Sequence, residues 1–201
     1  MIYKLLKYLA IALLVAAGIY VILNIGYFGK QFRFFFDQAF VTDDQREFAQ
    51  TENPVKIVPN QIYIPTLDII APIQFIDGTT EEVFQRALQD GVVLYPGTAK
   101  VGTVGNTYIF GHSSDFAFSK GSYKTVFALL PSIELGADIK ITDEEGTEFT
   151  YKVYEKFVAP KTATHLLNQD TKGRKILTLQ TSYPIGTALQ RYIVKAELVE
   201  K

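Results

Sequence analysis

Residues 175–191, with the sequence KILTLQTSYPIGTALQR, decide how this chain is interpreted. The stretch begins as an apolar, strand-like run, continues through a Thr-Ser pair, and then turns at a proline and a glycine. A second stretch, GNTYIFGH at residues 105–112, is another short strand that leads into a polar turn. Both stretches place polar side chains at or near strand ends, and His112, Ser182 and Arg191 are the candidates for chemistry among them.

The composition excludes several classes of function. The 201 residues include 20 Lys plus Arg against 21 Asp plus Glu, with no basic stripe, so nucleic acid is not an expected partner. The chain has no cysteine, which excludes disulfides, thiolate zinc sites and thiol nucleophiles. Because there are only two histidines, a multi-histidine metal site is not expected, and we predict neither a metal ion nor another cofactor.

The amino-terminal segment indicates the compartment. Residues 8–28 contain no charged side chain, and at about 1.5 Å of rise per residue such a helix spans roughly the 30 Å hydrocarbon core of a bilayer. We predict an uncleaved membrane anchor. A cleaved signal peptide and a buried core helix are the alternatives, which the length and the all-round apolarity of the run disfavour. Lys4 and Lys7 favour a cytoplasmic amino terminus, although Lys30 and Arg33 weaken that bias.

The chain divides into three parts. We expect a cytoplasmic stub and transmembrane anchor at residues 1–28, a stalk or linker at 29–56, and a folded domain at 57–201. The aromatic run of the stalk is expected to lie at the membrane surface or to pack as a helix. In the folded domain, many short strand-like runs alternate with turns and a few short helices, predicted near residues 80–88 and 123–130. This pattern is typical of a β-barrel or a β-sandwich.

Taken singly, the candidate site residues leave alternatives open. His112 at a strand end suits proton transfer near neutral pH, but a histidine there also often satisfies a structural hydrogen bond. Ser182 lies at an ordinary strand-to-loop junction, and Thr181 belongs to a residue type that is frequent in strands. The planar guanidinium of Arg191 can hold a carbonyl or a developing oxyanion, or it can form a surface ion pair.

An ordered series of motifs resembles the sortases, the cell-surface transpeptidases. The motifs are IPTLDI and API at 64–69 and 71–73, GVVLYPGTA at 91–99, GNTYIFGH at 105–112, VFALL and LGAD at 126–130 and 135–138, and TLQTS at 178–182 followed by Arg191. The resemblance implies a mainly β fold, a closed eight-stranded sortase-like β-barrel with short helices, preceded by one amino-terminal transmembrane helix. It places that barrel at residues 57–201.

The resemblance also implies roles for particular residues. His112, Ser182 and Arg191 would form the catalytic set, with Ser182 where the family has its nucleophilic cysteine and Thr181 beside it as an oxyanion or substrate contact. The implied substrate is the carboxy-terminal sorting-signal peptide of a surface protein. An acyl-enzyme forms on it, and an amine on a cell-wall precursor or a pilin resolves that intermediate. The implied location is the cell membrane, with a single span, the amino terminus in the cytoplasm and the catalytic domain outside.

The serine changes the expected chemistry. A cysteine thiol ionises with modest help, whereas a serine hydroxyl needs a base during attack and a partner that orients the base. Asp115 is the nearest acidic candidate for that partner, but a solvated turn residue is the favoured interpretation of it, and His165 is expected on the surface. Three explanations stay open: a substitution that stops acyl transfer, a natural serine enzyme, and a catalytically silent pseudo-sortase that binds sorting peptides. A membrane-tethered scaffold or interaction module is an alternative of a different class.

Overall fold

Eight strands close into a barrel in the computed structural model, which describes residues 2–42, 58–114 and 121–199. The strands are β1 Gln61–Ile64, β2 Ile69–Gln74, β3 Val92–Leu94, β4 Gly105–Phe110, β5 Asp138–Thr142, β6 Glu148–Pro160, β7 Lys175–Tyr183 and β8 Gln190–Leu198. Around the barrel they follow the order β1-β2-β3-β4-β7-β8-β6-β5, and β5 pairs with β1 to close the ring. The predicted mainly β, closed eight-stranded barrel is confirmed.

The alternation of side chains along the strands separates the inside of the barrel from the outside. Leu177 and Leu179 of β7 are fully buried in the central core, where Ile109 of β4 and Val194 of β8 join them. Successive side chains of a strand point to opposite faces, so Gln180 lies on the outer face. A slip of one residue would move the buried leucines into water, and the core therefore fixes the register of the strands.

The pairing of β7 with its two neighbours determines which strand ends meet. β4 and β7 run parallel, from Gly105 opposite Lys175 to Phe110 opposite Gln180. β7 and β8 run antiparallel and form a hairpin. Because parallel strands end at the same edge of a sheet, the residues that follow β4 lie beside the last residues of β7 and the first residues of β8.

One predicted helix is confirmed and the other is wrong. Helix α3, Glu81–Ala87, begins after Thr80, whose side-chain oxygen accepts a hydrogen bond from the Val83 N–H at 3.4 Å. The stretch 123–130 instead forms tight turns and ends in a 3₁₀ turn at Leu130–Ser132. The N–H groups of Val126, Ala128 and Leu130 bond three residues back, and every side chain from 126 to 130 is buried. A regular α-helix at the barrel surface would have turned some of these side chains towards water.

Among residues 2–42, two consecutive helices precede the barrel. Helix α1 is Ile2–Leu23 and helix α2 is Ile25–Phe40, with Asn24 between them. Within the described residues, α1 is the single helix that is long and apolar enough, by length and composition, to cross a membrane, and none of its residues is buried. The part of the predicted stalk that α2 occupies is therefore helical, and residues 43–57 lie outside the described residues.

Helix α2 contacts the barrel. The Lys30 ammonium group donates a hydrogen bond to the Thr125 carbonyl oxygen at 2.9 Å. Four residues further along, Phe34 packs against the barrel core. A side chain at Gly26 would contact the Thr125 methyl group at 3.5 Å, so the first half of α2 runs close to the turns at 123–130.

Candidate active site

Three strands bring the predicted site residues to one groove. Ser182, near the end of β7, is opposite Arg191, near the start of β8. His112 follows the end of β4 by two residues. All three residues are half-buried, and all three line a groove of about 320 Å³ on the outside of the barrel. An imidazole, a hydroxyl and a guanidinium therefore share one cleft.

Thr181 connects β7 to the segment that leads to His112. Its side chain is 2% exposed, and its hydroxyl donates a hydrogen bond to the Gly111 carbonyl oxygen at 2.8 Å. The Gly111 N–H donates to the Gln180 carbonyl oxygen at 3.1 Å. Thr181 also borders the groove, but its hydroxyl hydrogen is directed at Gly111. Its role as an oxyanion or substrate contact stays a prediction.

The backbone before His112 is held by close packing. A Cβ atom at Gly111 would lie 2.8 Å from the Phe127 ring and 3.0 Å from methyl groups of both Val126 and Val92. The His112 carbonyl oxygen accepts a hydrogen bond from the Phe127 N–H at 2.9 Å. Interiors packed this tightly leave little room for adjustment, so the barrel core determines where the His112 side chain begins.

The β7–β8 hairpin holds the Arg191 guanidinium in place. One guanidinium nitrogen, Nη1, donates to the Ala188 carbonyl oxygen at 3.2 Å and to the Gln190 carbonyl oxygen at 3.0 Å. These bonds engage one nitrogen of a planar group that has five N–H donors. The turn of the hairpin is in turn tied to the segment after His112, because the Gly186 N–H donates to Ser114 Oγ at 2.9 Å.

A tyrosine–glutamine pair forms part of the groove wall. The Tyr108 hydroxyl donates to Gln180 Oε1 at 2.6 Å, and both residues line the groove. Burial raises the pKa of Tyr108; the positive charge of Arg191 opposes this effect, and Tyr95 adds to it. The phenol therefore stays protonated at neutral pH and acts as a hydrogen-bond donor.

Aromatic rings give the groove an apolar section. The ring centroids of Phe84 and Phe110 are 5.0 Å apart in an edge-to-face arrangement, and those of Phe84 and Tyr95 are 5.7 Å apart. Leu88 and Leu167 complete the apolar lining. Rings in such arrangements form rigid apolar surfaces, so this section can hold an apolar side chain of a ligand.

Two other titratable residues were considered from the sequence, and the structure describes one of them. Asp115, the nearest acidic candidate for a partner that orients His112, lies outside the described residues. His165 is exposed on the 3₁₀ turn Thr164–Leu167 and is not among the groove-lining residues. In the described part of the chain, no group of three or more His, Cys, Asp or Glu side chains is placed to hold a metal ion.

Sequence reasoning did not single out the pair Tyr108–Gln180 or the aromatic section. A signal was present in GNTYIFGH, where Tyr108, Phe110 and His112 recur at every second position. Residues two apart along a strand share a face, so the pattern by itself places these three side chains on one side. The partner strand that brings Gln180 to this face could not be read from the same pattern.

Comparison with known proteins identifies the class that this fold and groove define. A family model for the sortase domain matches residues 62–199, which is more than half of the chain. The chain therefore belongs to the sortase family, whose members are transpeptidases, and the resemblance noted in the sequence is confirmed. Among curated proteins, no sequence matches this chain.

Several solved structures are similar to this chain. A Clostridium perfringens sortase D5 transpeptidase is 27% identical, with a TM-score of 0.56, and the match covers 82% of this chain and 94% of that chain. Sortase A from Corynebacterium diphtheriae is 26% identical, with a TM-score of 0.59 and coverages of 80% and 71%. Sortase C-1 from Actinomyces oris is 24% identical, with a TM-score of 0.59 and coverages of 81% and 86%, and it supports the fold alone.

Proposed function

We propose that this protein is a membrane-anchored sortase-type transpeptidase that acts on the carboxy-terminal sorting signal of surface proteins. It forms an acyl-enzyme at Ser182 and transfers the acyl group to an amine on a cell-wall precursor or a pilin. The single observation that supports this most is the meeting of His112, Ser182 and Arg191 in one groove of a sortase barrel.

Each of these groups has the chemistry for one step of acyl transfer. The His112 imidazole takes the hydroxyl proton as Ser182 Oγ attacks the carbonyl carbon of the scissile amide. The Arg191 guanidinium stabilises the negative charge that develops on the carbonyl oxygen. The imidazolium then gives its proton to the leaving amine, which leaves an ester on Ser182. The acceptor amine attacks that ester by the reverse sequence, forms a new amide and restores the hydroxyl.

The position of Arg191 fits its proposed role. Residues directly opposite on antiparallel strands have Cβ atoms about 4.5–5.5 Å apart, and Arg191 is directly opposite Ser182. The bonds from Nη1 to two hairpin carbonyls restrain the guanidinium before a substrate arrives. A restrained donor needs little reorganisation when charge develops, and this is the arrangement from which an oxyanion site gains most.

The groove suits a short peptide. Its aromatic section, formed with Phe84, Tyr95 and Phe110, provides a site for an apolar side chain, and the Tyr108–Gln180 pair provides polar atoms beside it. The 160–174 connection forms a wall of the groove through Lys161 and Leu167 instead of filling it. These features support peptide binding near Ser182.

We further propose the cell membrane as the location, with α1 as a single span, the amino terminus in the cytoplasm and the barrel outside. The proposed organisation is a cytoplasmic stub and anchor at 1–28, a linker at 29–56 and the barrel domain at 57–201. Support comes from the exposed, apolar surface of α1 and from the charge pattern at its start.

A second candidate function is favoured by Ser182 itself. A serine hydroxyl does not ionise near neutral pH, so the groove can bind a sorting peptide without cleaving it. The chain would then be a catalytically silent pseudo-sortase that binds sorting peptides or serves as a surface interaction module.

Intact mass spectrometry of the full chain in lipid nanodiscs separates these functions. The probes are fluorescent peptides with an internal Thr–Gly bond, offered with glycinamide as the amine, and the matched proteins are wild type, Ser182→Cys and Ser182→Ala. For a serine enzyme we expect a peptide ester on wild type, faster acylation of Ser182→Cys and none of Ser182→Ala. In the Ser182→Cys protein, Arg191→Lys should slow acylation by about 10²-fold while peptide anisotropy stays unchanged.

Other outcomes have definite meanings. If all proteins bind the peptides with equal affinity and none is acylated, including Ser182→Cys, the silent binder is the correct function. If no protein binds any peptide, both candidate functions are wrong and a scaffold role replaces them.

A further inference from the structure

One face of α2 carries a row of exposed phenylalanines. Phe32, Phe36 and Phe40 recur every four residues and therefore lie along one side of the helix. Their side chains are 71%, 50% and 68% exposed. The rings also contact one another, with centroids 6.4 Å apart for the first pair and 4.6 Å apart for the second. This phenylalanine row leaves a continuous apolar surface in water, which costs about 25 cal/mol per Å².

A different face of the same helix is occupied by the barrel. Tyr27, Gln31 and Phe34 recur at spacings of four and three residues and are half-buried, and Phe34 reaches the barrel core. The hydrogen bond from Lys30 to the Thr125 carbonyl oxygen adds a polar contact. Helix α2 is therefore held on the barrel in an orientation that leaves the phenylalanine row facing outward.

The start of α2 is fixed at the end of the apolar helix. Only Asn24 separates α1 from α2, and at about 1.5 Å per residue Phe32 lies roughly 12 Å along the helix from that point. The barrel also touches this junction. The Tyr20 hydroxyl donates to the Ile185 carbonyl oxygen at 3.2 Å, and Asn24 Oδ1 is 3.1 Å from the position of a Cβ atom at Gly186.

The junction at Asn24 places the start of α2, and with it the phenylalanine row, close to the bilayer surface when α1 spans the membrane. When α1 spans a bilayer, the junction at Asn24 lies at the bilayer surface, and the barrel is seated against that junction. Helix α2 begins at that surface, with one face held by the barrel and its phenylalanine row uncovered. Aromatic side chains favour the boundary between headgroups and acyl chains, and a helix with one apolar face lies in that plane.

We propose that α2 is an interfacial helix that inserts its phenylalanine row into the surface of the same membrane while its other face holds the barrel. This inference rests on the proposed membrane anchor. The side chain of Arg33 is exposed, and its Nε atom lies 3.7 Å from Asp37 Oδ2. Its guanidinium can extend to lipid phosphates while its aliphatic stem lies on the apolar layer. The hydrogen bond from the Tyr20 hydroxyl to the Ile185 carbonyl oxygen also connects the hairpin turn between Ser182 and Arg191 to α1.

The absence of cysteine allows a direct test on the full chain, since any introduced cysteine is the only thiol. A nitroxide is attached to Phe36→Cys and, as the matched control, to Gln38→Cys, an exposed polar position two residues along the same helix. Leu13→Cys in α1 reports whether the anchor is inserted. Each protein is placed as one chain per nanodisc of phosphatidylcholine and phosphatidylglycerol, and collisions with oxygen and with a water-soluble nickel chelate are measured.

We expect the nitroxide at position 36 to collide several-fold more with oxygen than with nickel, as at position 13, and the nitroxide at position 38 to show the reverse. Preferential nickel collisions at position 36, together with a lipid-exposed position 13, overturn the interfacial helix and leave the anchor intact. Nickel access at position 13 overturns the proposed anchor itself. If position 36 is shielded only when several chains share a disc, and spin–spin broadening appears there, a second copy covers the row and the inference is wrong.

Discussion

The hydrogen bond from Thr181 to Gly111 is expected to stabilise the barrel at the edge of the groove. The substitution Thr181→Val keeps the shape of the side chain and removes its only donor. Gly111 and Thr181 are both buried, so water does not replace the lost bond at 2.8 Å. A buried carbonyl left without a donor costs about 1–3 kcal/mol. We expect the free energy of unfolding to fall by about 2 kcal/mol, which lowers the midpoint of thermal unfolding by about 4–8 °C.

Thr181→Ser is the matched control, because it keeps the hydroxyl and removes one methyl group. Burial of one such group contributes about 0.8 kcal/mol, so the serine variant should unfold between wild type and Thr181→Val. Near-ultraviolet circular dichroism of the full chain in detergent micelles follows this transition through its 12 tyrosines, since the chain has no tryptophan. A valine variant as stable as the serine variant, or more stable, would show that the hydroxyl contributes no more than about 0.8 kcal/mol and would refute the reasoning.

Two further predictions concern stability. Burial raises the pKa of Tyr108 and Tyr151 above 10.0 in the folded chain, so the unfolded chain loses these two protons first as the pH rises. The free energy of unfolding therefore stays level below about pH 10. Above that pH it falls, by up to about 1.4 kcal/mol per pH unit for each tyrosine. Alkaline denaturation should show a shallower fall for Tyr108→Phe, and an unchanged slope contradicts this. Gly91→Ala places a Cβ atom 2.2 Å from the Pro72 carbonyl oxygen, and the free energy of unfolding in urea should fall by about 3 kcal/mol. In the control Gly78→Ala the nearest atom to the new Cβ is 3.4 Å away, so the urea midpoint should stay that of wild type. Equal midpoints for the two variants would contradict this prediction.

The hairpin between β5 and β6 was predictable because its chemistry is local. Asp143 Oδ1 accepts hydrogen bonds from the Glu145 N–H at 3.1 Å and the Thr147 N–H at 2.7 Å. Gly146 has a φ of 82°, a conformation that glycine adopts without strain. All the interactions that form this turn involve residues within four positions of one another, so the sequence DEEG was sufficient to indicate it.

Other elements depended on distant partners and were not predictable in the same way. The three-residue strand β3 is too short to show a period, and it exists because it pairs with both β2 and β4. The stretch 123–130 has the composition of a helix but forms turns, because the core requires five consecutive buried side chains at 126–130. In both cases tertiary packing outweighs local propensity.

The residues of the site also differ in whether neighbouring or distant parts of the chain determine them. His112 and Ser182 were found because each lies in a motif that resembles the family's, and Arg191 because it follows the second of these motifs. The Tyr108–Gln180 bond instead joins residues 72 positions apart through the parallel pairing of β4 and β7. The direction in which Thr181 donates its hydrogen bond likewise depends on that pairing.

By itself, the sequence determined a β-rich class of fold and the apolar amino-terminal helix, because periodicity, composition and local turn chemistry are properties of neighbouring residues. The three residues proposed for the reaction came from the resemblance of the ordered motifs to the sortases. Only the tertiary structure decided which strands are adjacent, how the aromatic section of the groove is assembled, and which face of α2 the barrel leaves exposed. Those arrangements result from contacts between residues far apart in the chain, and their geometry is set by close packing of the whole barrel.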